Sequence, residues 1–175
     1  DNNVRYPFLC TKSDNTIDIY GRDGTIFMQN LDYDDVKPIN EEIVLVKRDD
    51  LYGVISKEND IIMPIQYPYI EFHTDDGYGI LLNEEGYQLI NLQCEIITDR
   101  VYDNIRPGSG AICYEINGKY GYLKANGKEL TPPEYDFASI TLENGLLFAT
   151  KDEKAGYLNS NGDCVIDFKV CAMCR

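Results

Sequence analysis

The sequence lacks tryptophan, has a single histidine, and contains no apolar run of the 18 or more residues that a membrane-spanning helix needs. Cationic side chains are also scarce, because 16 lysine and arginine residues face 30 aspartate and glutamate residues, for a net charge of −14. A protein that binds the phosphate backbone needs clustered cationic side chains. The composition therefore argues against nucleic-acid binding and against a membrane span.

What the chain does contain is enough apolar material for an ordinary core. It has 175 residues, of which 43% are hydrophobic, and tyrosine supplies 14 of its aromatic residues. A chain of this length suits a single domain. The six cysteines are spread too thinly to fix the redox compartment. No targeting signal is visible near residue 1, so a cytoplasmic location is slightly favoured, while a secreted or cell-surface location stays open.

A short motif of an aromatic residue, glycine and two apolar residues recurs along the chain. It occurs as Tyr52-Gly53-Val54-Ile55, as Tyr120-Gly121-Tyr122-Leu123 and, with alanine in the first place, as Ala155-Gly156-Tyr157-Leu158. A second tyrosine follows the aromatic position at one constant distance, from Tyr52 to Tyr67, from Tyr87 to Tyr102 and from Tyr120 to Tyr135. This spacing predicts tandem repeats of about 34 residues, with the first two glycine motifs two periods apart and the third one period later.

Five copies account for the chain without a linker, as one repeat domain. They lie near residues 8–36, 42–70, 78–105, 111–140 and 146–170, with a terminal tail at 171–175. Each copy shows short apolar runs with alternating polarity, which predicts three β-strands per copy. Asn-Gly turns, such as Asn117-Gly118 and Asn126-Gly127, support antiparallel hairpins because they accept positive φ angles.

These residues resemble the WG-repeat family, whose unit pairs an aromatic-glycine motif with a later Gly-Lys, Pro and Tyr-Asp. The fourth copy is the nearest match, with Lys119 to Leu123, Asn126-Gly127-Lys128, Pro132 and Tyr135-Asp136. The chain departs from the family in having tyrosine, isoleucine or alanine where the family has tryptophan. The resemblance implies a bacterial, all-β repeat protein that serves as an interaction or structural module, in some settings as an immunity protein. It implies no catalytic residue.

The expected fold is therefore all-β, with five three-stranded antiparallel repeats in a curved, propeller-like or superhelical array. Tyr120 is expected to be buried between copies, with a side chain from another copy packed on the bare backbone at Gly121. In two of the three copies an aspartate, Asp103 or Asp136, follows the late tyrosine, and it is expected to accept local backbone N–H bonds in a turn.

The sequence offers no recognisable catalytic constellation. His73 lies in an acidic stretch and is interpreted as an exposed loop histidine. Cys171 and Cys174 have the spacing of half a zinc knuckle or of a thiol redox pair, but zinc normally needs a second pair of ligands. We therefore expect no metal, no cofactor and no enzymatic activity.

Acidic pairs that do not serve the strand pattern are the candidate binding residues. Loops on a rigid β-scaffold commonly carry binding residues, and negative charge favours a basic partner protein. The eight candidates are Asp34, Asp35, Asp49, Asp50, Asp75, Asp76, Glu84 and Glu85. The interpretation is an acidic interaction module, in its sharpest form an inhibitor or immunity-type protein. Two alternatives stay open: that these charges only keep the domain soluble, and that the chain is an extracellular adhesion or carbohydrate-binding repeat protein.

Overall fold

The computed structural model describes residues 8–109 and 111–170, and these residues contain β-strands and turns but no helix. The chain divides into two compact units, residues 1–70 and residues 71–175. Among the described residues, no helix is long and apolar enough to cross a membrane. The predicted all-β class is confirmed.

Antiparallel hairpins between consecutive strands build five sheets. The first sheet contains β1 (Phe8–Thr11), β2 (Ile17–Tyr20) and β3 (Ile26–Leu31). The second sheet contains β4 (Asp35–Pro38), β5 (Ile43–Arg48), β6 (Leu51–Ser56) and β7 (Ile61–Tyr67).

Three further sheets follow. The third contains β8 (Tyr69–His73), β9 (Tyr78–Leu82) and β10 (Tyr87–Asn91). The fourth contains β11 (Asn104–Arg106), β12 (Ile112–Ile116), β13 (Lys119–Leu123) and β14 (Glu129–Tyr135). The fifth contains β15 (Phe137–Ala138), β16 (Leu146–Lys151), β17 (Lys154–Asn159) and β18 (Cys164–Val170).

The strands of a four-stranded sheet are called A, B, C and D here, in chain order. The three strands of the first sheet correspond to B, C and D, and those of the third sheet correspond to A, B and C. In place of a D strand, the third sheet has two isolated bridges, from Tyr87 to Tyr102 and from Ile90 to Ile96. Our expectation of three strands per repeat is therefore wrong for three sheets, which have an additional A strand. These A strands have only four, three and two residues, too few to show an alternating pattern.

The predicted Asn-Gly hairpins form where expected. Asn117 and Gly118, between strands B and C of the fourth sheet, have φ angles of 52° and 73°. Gly127, in the turn between strands C and D, has a φ angle of 80°. Both central positions of the first turn are thus left-handed, as a two-residue hairpin loop requires.

Each unit has an apolar cluster of its own. In the first unit, Ile19, Val44, Val46 and Ile55 are fully buried in one cluster. The corresponding cluster of the second unit has as its most buried members Cys113, Tyr122, Ala138, Leu147, Ala149 and Leu158.

Tyr120 lies against the cluster of the second unit and is only partly buried, whereas Tyr122 is fully buried. The expectation that Tyr120 is a buried residue is therefore wrong: the ring lies at the edge of the cluster, with the Arg106 guanidinium 5.1 Å from its centroid.

Glycines of the repeated motif lie at equivalent places on the C strands β6, β13 and β17. The side chains that cover them come from the same sheet in each case: Ile65 covers Gly53, Tyr114 covers Gly121 and Phe168 covers Gly156. The expectation that another repeat supplies this cover is wrong, because adjacent strands of one sheet place a large side chain directly beside the glycine.

Candidate functional site

The turn between strands B and C and the start of strand A lie at the same end of the second sheet. At this place Asp32, Asp34, Asp35, Asp49 and Asp50 are exposed carboxylates. Two cations accompany them, Lys47 and Arg48, at the end of β5. We call these seven residues the acidic end of the second sheet.

The turn at the acidic end is fixed by a carboxylate from the preceding strand connection. The backbone N–H of Asp49 donates to Asp34 Oδ2 at 2.7 Å. Equivalent bonds run from the Asn117 N–H to Asp103 Oδ2 at 2.6 Å and from the Asp152 N–H to Asp136 Oδ2 at 2.8 Å. The recurrent aspartate thus accepts a backbone N–H of a turn, as expected, but the bond is not local, because the donor lies 14 to 16 residues later in the next B–C turn.

Both cations of the acidic end are held by carboxylates of that end. Lys47 Nζ lies 2.7 Å from Asp50 Oδ1, and this bond holds the pKa of Asp50 below its ordinary value. Arg48 lies 3.6 Å from Asp32 Oδ2 and stacks over the Tyr33 ring at 4.8 Å. The cations thus neutralise two carboxylates, and the end keeps an excess of negative charge.

The remaining sequence-predicted residues do not all lie at equivalent places. Glu84 and Glu85 are exposed in the B–C turn of the third sheet, which corresponds to the turn of Asp49 and Asp50. Asp75 and Asp76 follow strand A of the third sheet and therefore lie at the other end of strand β9 from Glu84. The eight residues consequently do not share one edge of the sheets.

Within the second unit, the A–B connections of three successive sheets meet at an open cavity of about 470 Å³. Sheet three contributes His73, Asp76 and Tyr78; sheet four contributes Pro107, Gly108 and Ser109; sheet five contributes Ile140 and Thr141. We call this cavity the loop cavity.

Backbone contacts hold two of these connections together. The Ser109 N–H donates to the Ile140 carbonyl at 3.0 Å, and the Leu142 N–H donates to Ser109 Oγ at 3.1 Å. Gly108 permits this approach, because a Cβ there would collide with the Ile140 carbonyl oxygen and lie 2.7 Å from that of Ala111. The wall of the loop cavity is therefore set by close backbone packing.

His73 ends strand β8 and is not the exposed loop residue expected from the sequence. Its side chain is 22% exposed and stacks on Tyr78, with ring centroids 4.9 Å apart and planes inclined by 24°. The buried Nε2 atom has no hydrogen-bond partner among the described residues, and Glu71 Oε2 lies 3.7 Å away. Burial, then the carboxylates of Asp76 and Glu71, raise the pKa of Tyr78 to about 12. The stacked rings therefore have the carboxylates of Glu71 and Asp76 as neighbours.

Sequence reasoning missed the loop cavity. Six of its eight lining residues lie in connections between the predicted copies, and nothing in the sequence joined His73 and Asp76 to the later connections at Ser109 and Thr141. A usable signal was the period itself, since Asp76, Ser109 and Thr141 follow one another at intervals of about one repeat. Equivalent connections one period apart lie at equivalent ends of successive sheets.

No group of three or more histidine, cysteine, aspartate or glutamate side chains is arranged to hold a metal ion within residues 8–109 and 111–170. Cys171 and Cys174 lie outside the described residues, as does the predicted tail.

The tandem antiparallel sheets, glycine-centred strands and capped turns define a β-repeat protein. Residues 120–154 match the family model of the WG containing repeat, so the resemblance identified in the sequence is confirmed there. The match covers one repeat period, running from strand C of the fourth sheet to the first residue of strand C of the fifth. No curated protein matches the sequence.

Solved structures that are similar to the chain are β-propeller-like. Hsv2 of Kluyveromyces lactis with its loop 6CD replaced by a Gly-Ser linker is 14% identical, with a TM-score of 0.50 over 93% of this chain and 63% of that one. A eukaryotic initiation factor is 13% identical, with a TM-score of 0.50 over 95% and 56% of the two chains. Another structure of K. lactis Hsv2 is 12% identical, with a TM-score of 0.48 over 90% and 59%. The chain spans less than two thirds of these proteins, and the likeness concerns the fold alone.

Proposed function

We propose that the chain is a non-enzymatic protein-interaction module that binds a basic partner protein through its exposed acidic turns. The repeat match and the propeller-like neighbours support a β-repeat module of the kind that binds proteins. The observation that carries the proposal is the acidic end of the second sheet, where five exposed carboxylates face two cations.

The local geometry suits recognition of a basic surface. Asp34 fixes the turn, so Asp49 is presented on a rigid backbone instead of a mobile loop. Asp35 begins strand β4, where its Oδ1 accepts the Val36 N–H at 2.9 Å. Fixed charges of one sign accelerate the encounter with a partner of opposite charge and select against acidic proteins.

An inhibitor or immunity-type role is the specific form that we propose. Such a protein must find its target quickly, and electrostatic attraction increases the association rate constant more than it slows dissociation. The role requires no catalytic residue in the chain.

The test is retention of proteins from a lysate of the source organism by the immobilised chain, compared with two variants of equal charge. Asp49→Asn/Asp50→Asn removes two charges from the acidic end, and asparagine tolerates the left-handed backbone of both positions, as Asn117 does in the fourth sheet. The control, Glu58→Gln/Asp60→Asn, removes two charges at the other end of β6.

We expect a basic protein that is retained by the wild type and by the control and is retained less by Asp49→Asn/Asp50→Asn. Retention of acidic or neutral proteins alone, or equal retention by the two variants, contradicts the proposal.

A further inference from the structure

We infer that the loop cavity of the second unit receives the guanidinium group of an arginine side chain from the partner protein. This inference rests on the proposed function, because it specifies one chemical group of the basic partner. It concerns a place in the second unit that is separate from the acidic end of the second sheet.

Charge is the first reason. The cavity is lined by a carboxylate, an imidazole, a phenol and two hydroxyl-bearing side chains, and none of its described lining residues is lysine or arginine. Asp76 is exposed, and Glu71 Oε2 lies 3.7 Å from His73 Nε2. Both carboxylates contribute, after burial, to the raised pKa of Tyr78, which is itself a lining residue of the cavity. A cationic ligand is therefore favoured over an anionic one.

Shape is the second reason. Tyr78 is only 2% exposed and covers one face of the His73 ring, so the exposed part of the imidazole is on its remaining surface. A planar guanidinium can lie on an aromatic ring and still direct N–H donors at a carboxylate, whereas a compact ammonium makes only the charge contact. Asp76 supplies the carboxylate, and the Thr141 hydroxyl, from another sheet, supplies a further acceptor.

The cavity is built by the fold and does not depend on one mobile loop. Three sheets contribute to it, and the Ser109 bonds to Ile140 and Leu142 join two of the three connections. A preformed cavity loses little conformational entropy when a side chain enters it.

The experiment uses the full chain, uniformly labelled with nitrogen-15, and three small probes: the Nα-acetyl amides of arginine, lysine and citrulline. Citrulline has nearly the shape of arginine without its charge. We expect saturable shifts of the backbone amide signals of Asp76, Ser109 and Thr141 with the arginine probe. The lysine probe should bind more weakly, and the citrulline probe about tenfold more weakly or not at all, because it lacks the charge-assisted bond.

Asp76→Asn should weaken arginine binding about tenfold, while the matched variant Asp167→Asn, an exposed aspartate of β18 outside the cavity lining, should leave it unchanged. His73→Leu should also weaken binding, and a well-dispersed spectrum of each variant shows that it is folded. Absent shifts, equal binding of arginine with lysine or citrulline, or equal effects of Asp167→Asn and Asp76→Asn would overturn the inference. The proposed function is tested separately by Asp49→Asn/Asp50→Asn in the first unit, so the two failures are distinguishable.

Discussion

The ring of Tyr114 lies directly over Gly121, its cross-strand neighbour in the fourth sheet. A Cβ at position 121 would lie 2.6 Å from both Cζ and the hydroxyl oxygen of Tyr114. Beyond the glycine, the Tyr114 hydroxyl oxygen lies within hydrogen-bond distance of Glu129 Oε2, at 2.7 Å, and of the Thr131 carbonyl oxygen, at 3.0 Å. The fully buried tyrosine therefore connects strands B and D across the glycine of strand C, which explains why the motif needs glycine there.

Gly121→Ala should lower the free energy of unfolding by about 2 kcal/mol, because the new methyl group overpacks a full core. Urea denaturation measures the loss. In a Tyr114→Ala background the same change should cost less than about 0.5 kcal/mol, since the ring that it strikes is gone. Equal costs in both backgrounds would show that Tyr114 is not the reason for the glycine.

The recurrent aspartate gives a second prediction, at the B–C turn of the fifth sheet. Asp136 Oδ2 accepts the Asp152 N–H at 2.8 Å, and its Oδ1 pairs with Lys119. Asp136→Asn keeps an acceptor for the turn and loses the ion pair, whereas Asp136→Ala loses both. We expect the melting temperature to fall in the order wild type, Asp136→Asn, Asp136→Ala. Equal melting temperatures of the two variants would show that the turn bond does not stabilise the fold.

Part of this turn chemistry was predictable from the sequence, although the donor of the Asp136 bond, 16 residues away at Asp152, was not. The Tyr-Asp recurrence indicated an aspartate that accepts backbone N–H groups, and Asn117-Gly118 indicated a two-residue hairpin. The A strands were not predictable by alternation, since β15 has two residues and β11 has three. Their pairing depends on the longer B strand beside them.

Burial along the C strand was harder to predict. Alternation correctly places Tyr120 and Tyr122 on one side of β13, but the side chain of Tyr122 is fully buried, whereas that of Tyr120 packs against Arg106 at 5.1 Å. This difference in burial depends on which side chains surround each ring in the folded protein. The loop cavity likewise depends on three connections separated by about one period each, and no local pattern reveals such a meeting.

A third prediction concerns acid sensitivity in the first unit. Asp18 is 4% exposed; the Asn30 N–H at 2.8 Å and then Lys12 Nζ at 3.0 Å hold the pKa of its carboxyl below the ordinary value. A depressed pKa in the folded state means that the unfolded chain takes up the proton first. The stabilisation is therefore complete above the ordinary pKa of aspartate, about 3.9, and is lost as the pH falls through the lower value of the folded protein.

Asp18→Asn should lower the urea midpoint at pH 7 and reduce its fall between pH 5 and pH 3. Asp49→Asn serves as the control, because the Asp49 carboxylate is exposed and outside any ion pair that the described residues form. Its curve should parallel that of the wild type. An Asp18→Asn curve that also parallels the wild type would refute the assignment.

The cysteines give a fourth prediction. Burial raises the pKa of the Cys113 thiol, and it raises that of Cys94 to about 11, so neither forms much of the nucleophilic thiolate at pH 8. Cys10 and Cys164 are exposed free thiols. Brief iodoacetamide treatment of the folded chain, followed by peptide mass spectrometry, should label Cys10 and Cys164 well before Cys94 and Cys113. Early labelling of Cys113 would contradict the buried position of strand β12.

The central claim, that acidic turns guide a basic partner to this scaffold, is tested most directly by the association rate constant of a retained basic protein. It is measured by surface binding kinetics at salt concentrations from about 50 to 500 mM, across which the screening length falls severalfold. For the wild type and for Glu58→Gln/Asp60→Asn, the rate constant should fall steeply with salt. For Asp49→Asn/Asp50→Asn, it should start lower and fall less, with a smaller change in the dissociation rate constant. An association rate constant that does not change with salt concentration, or that is the same for all three proteins, would contradict the claim.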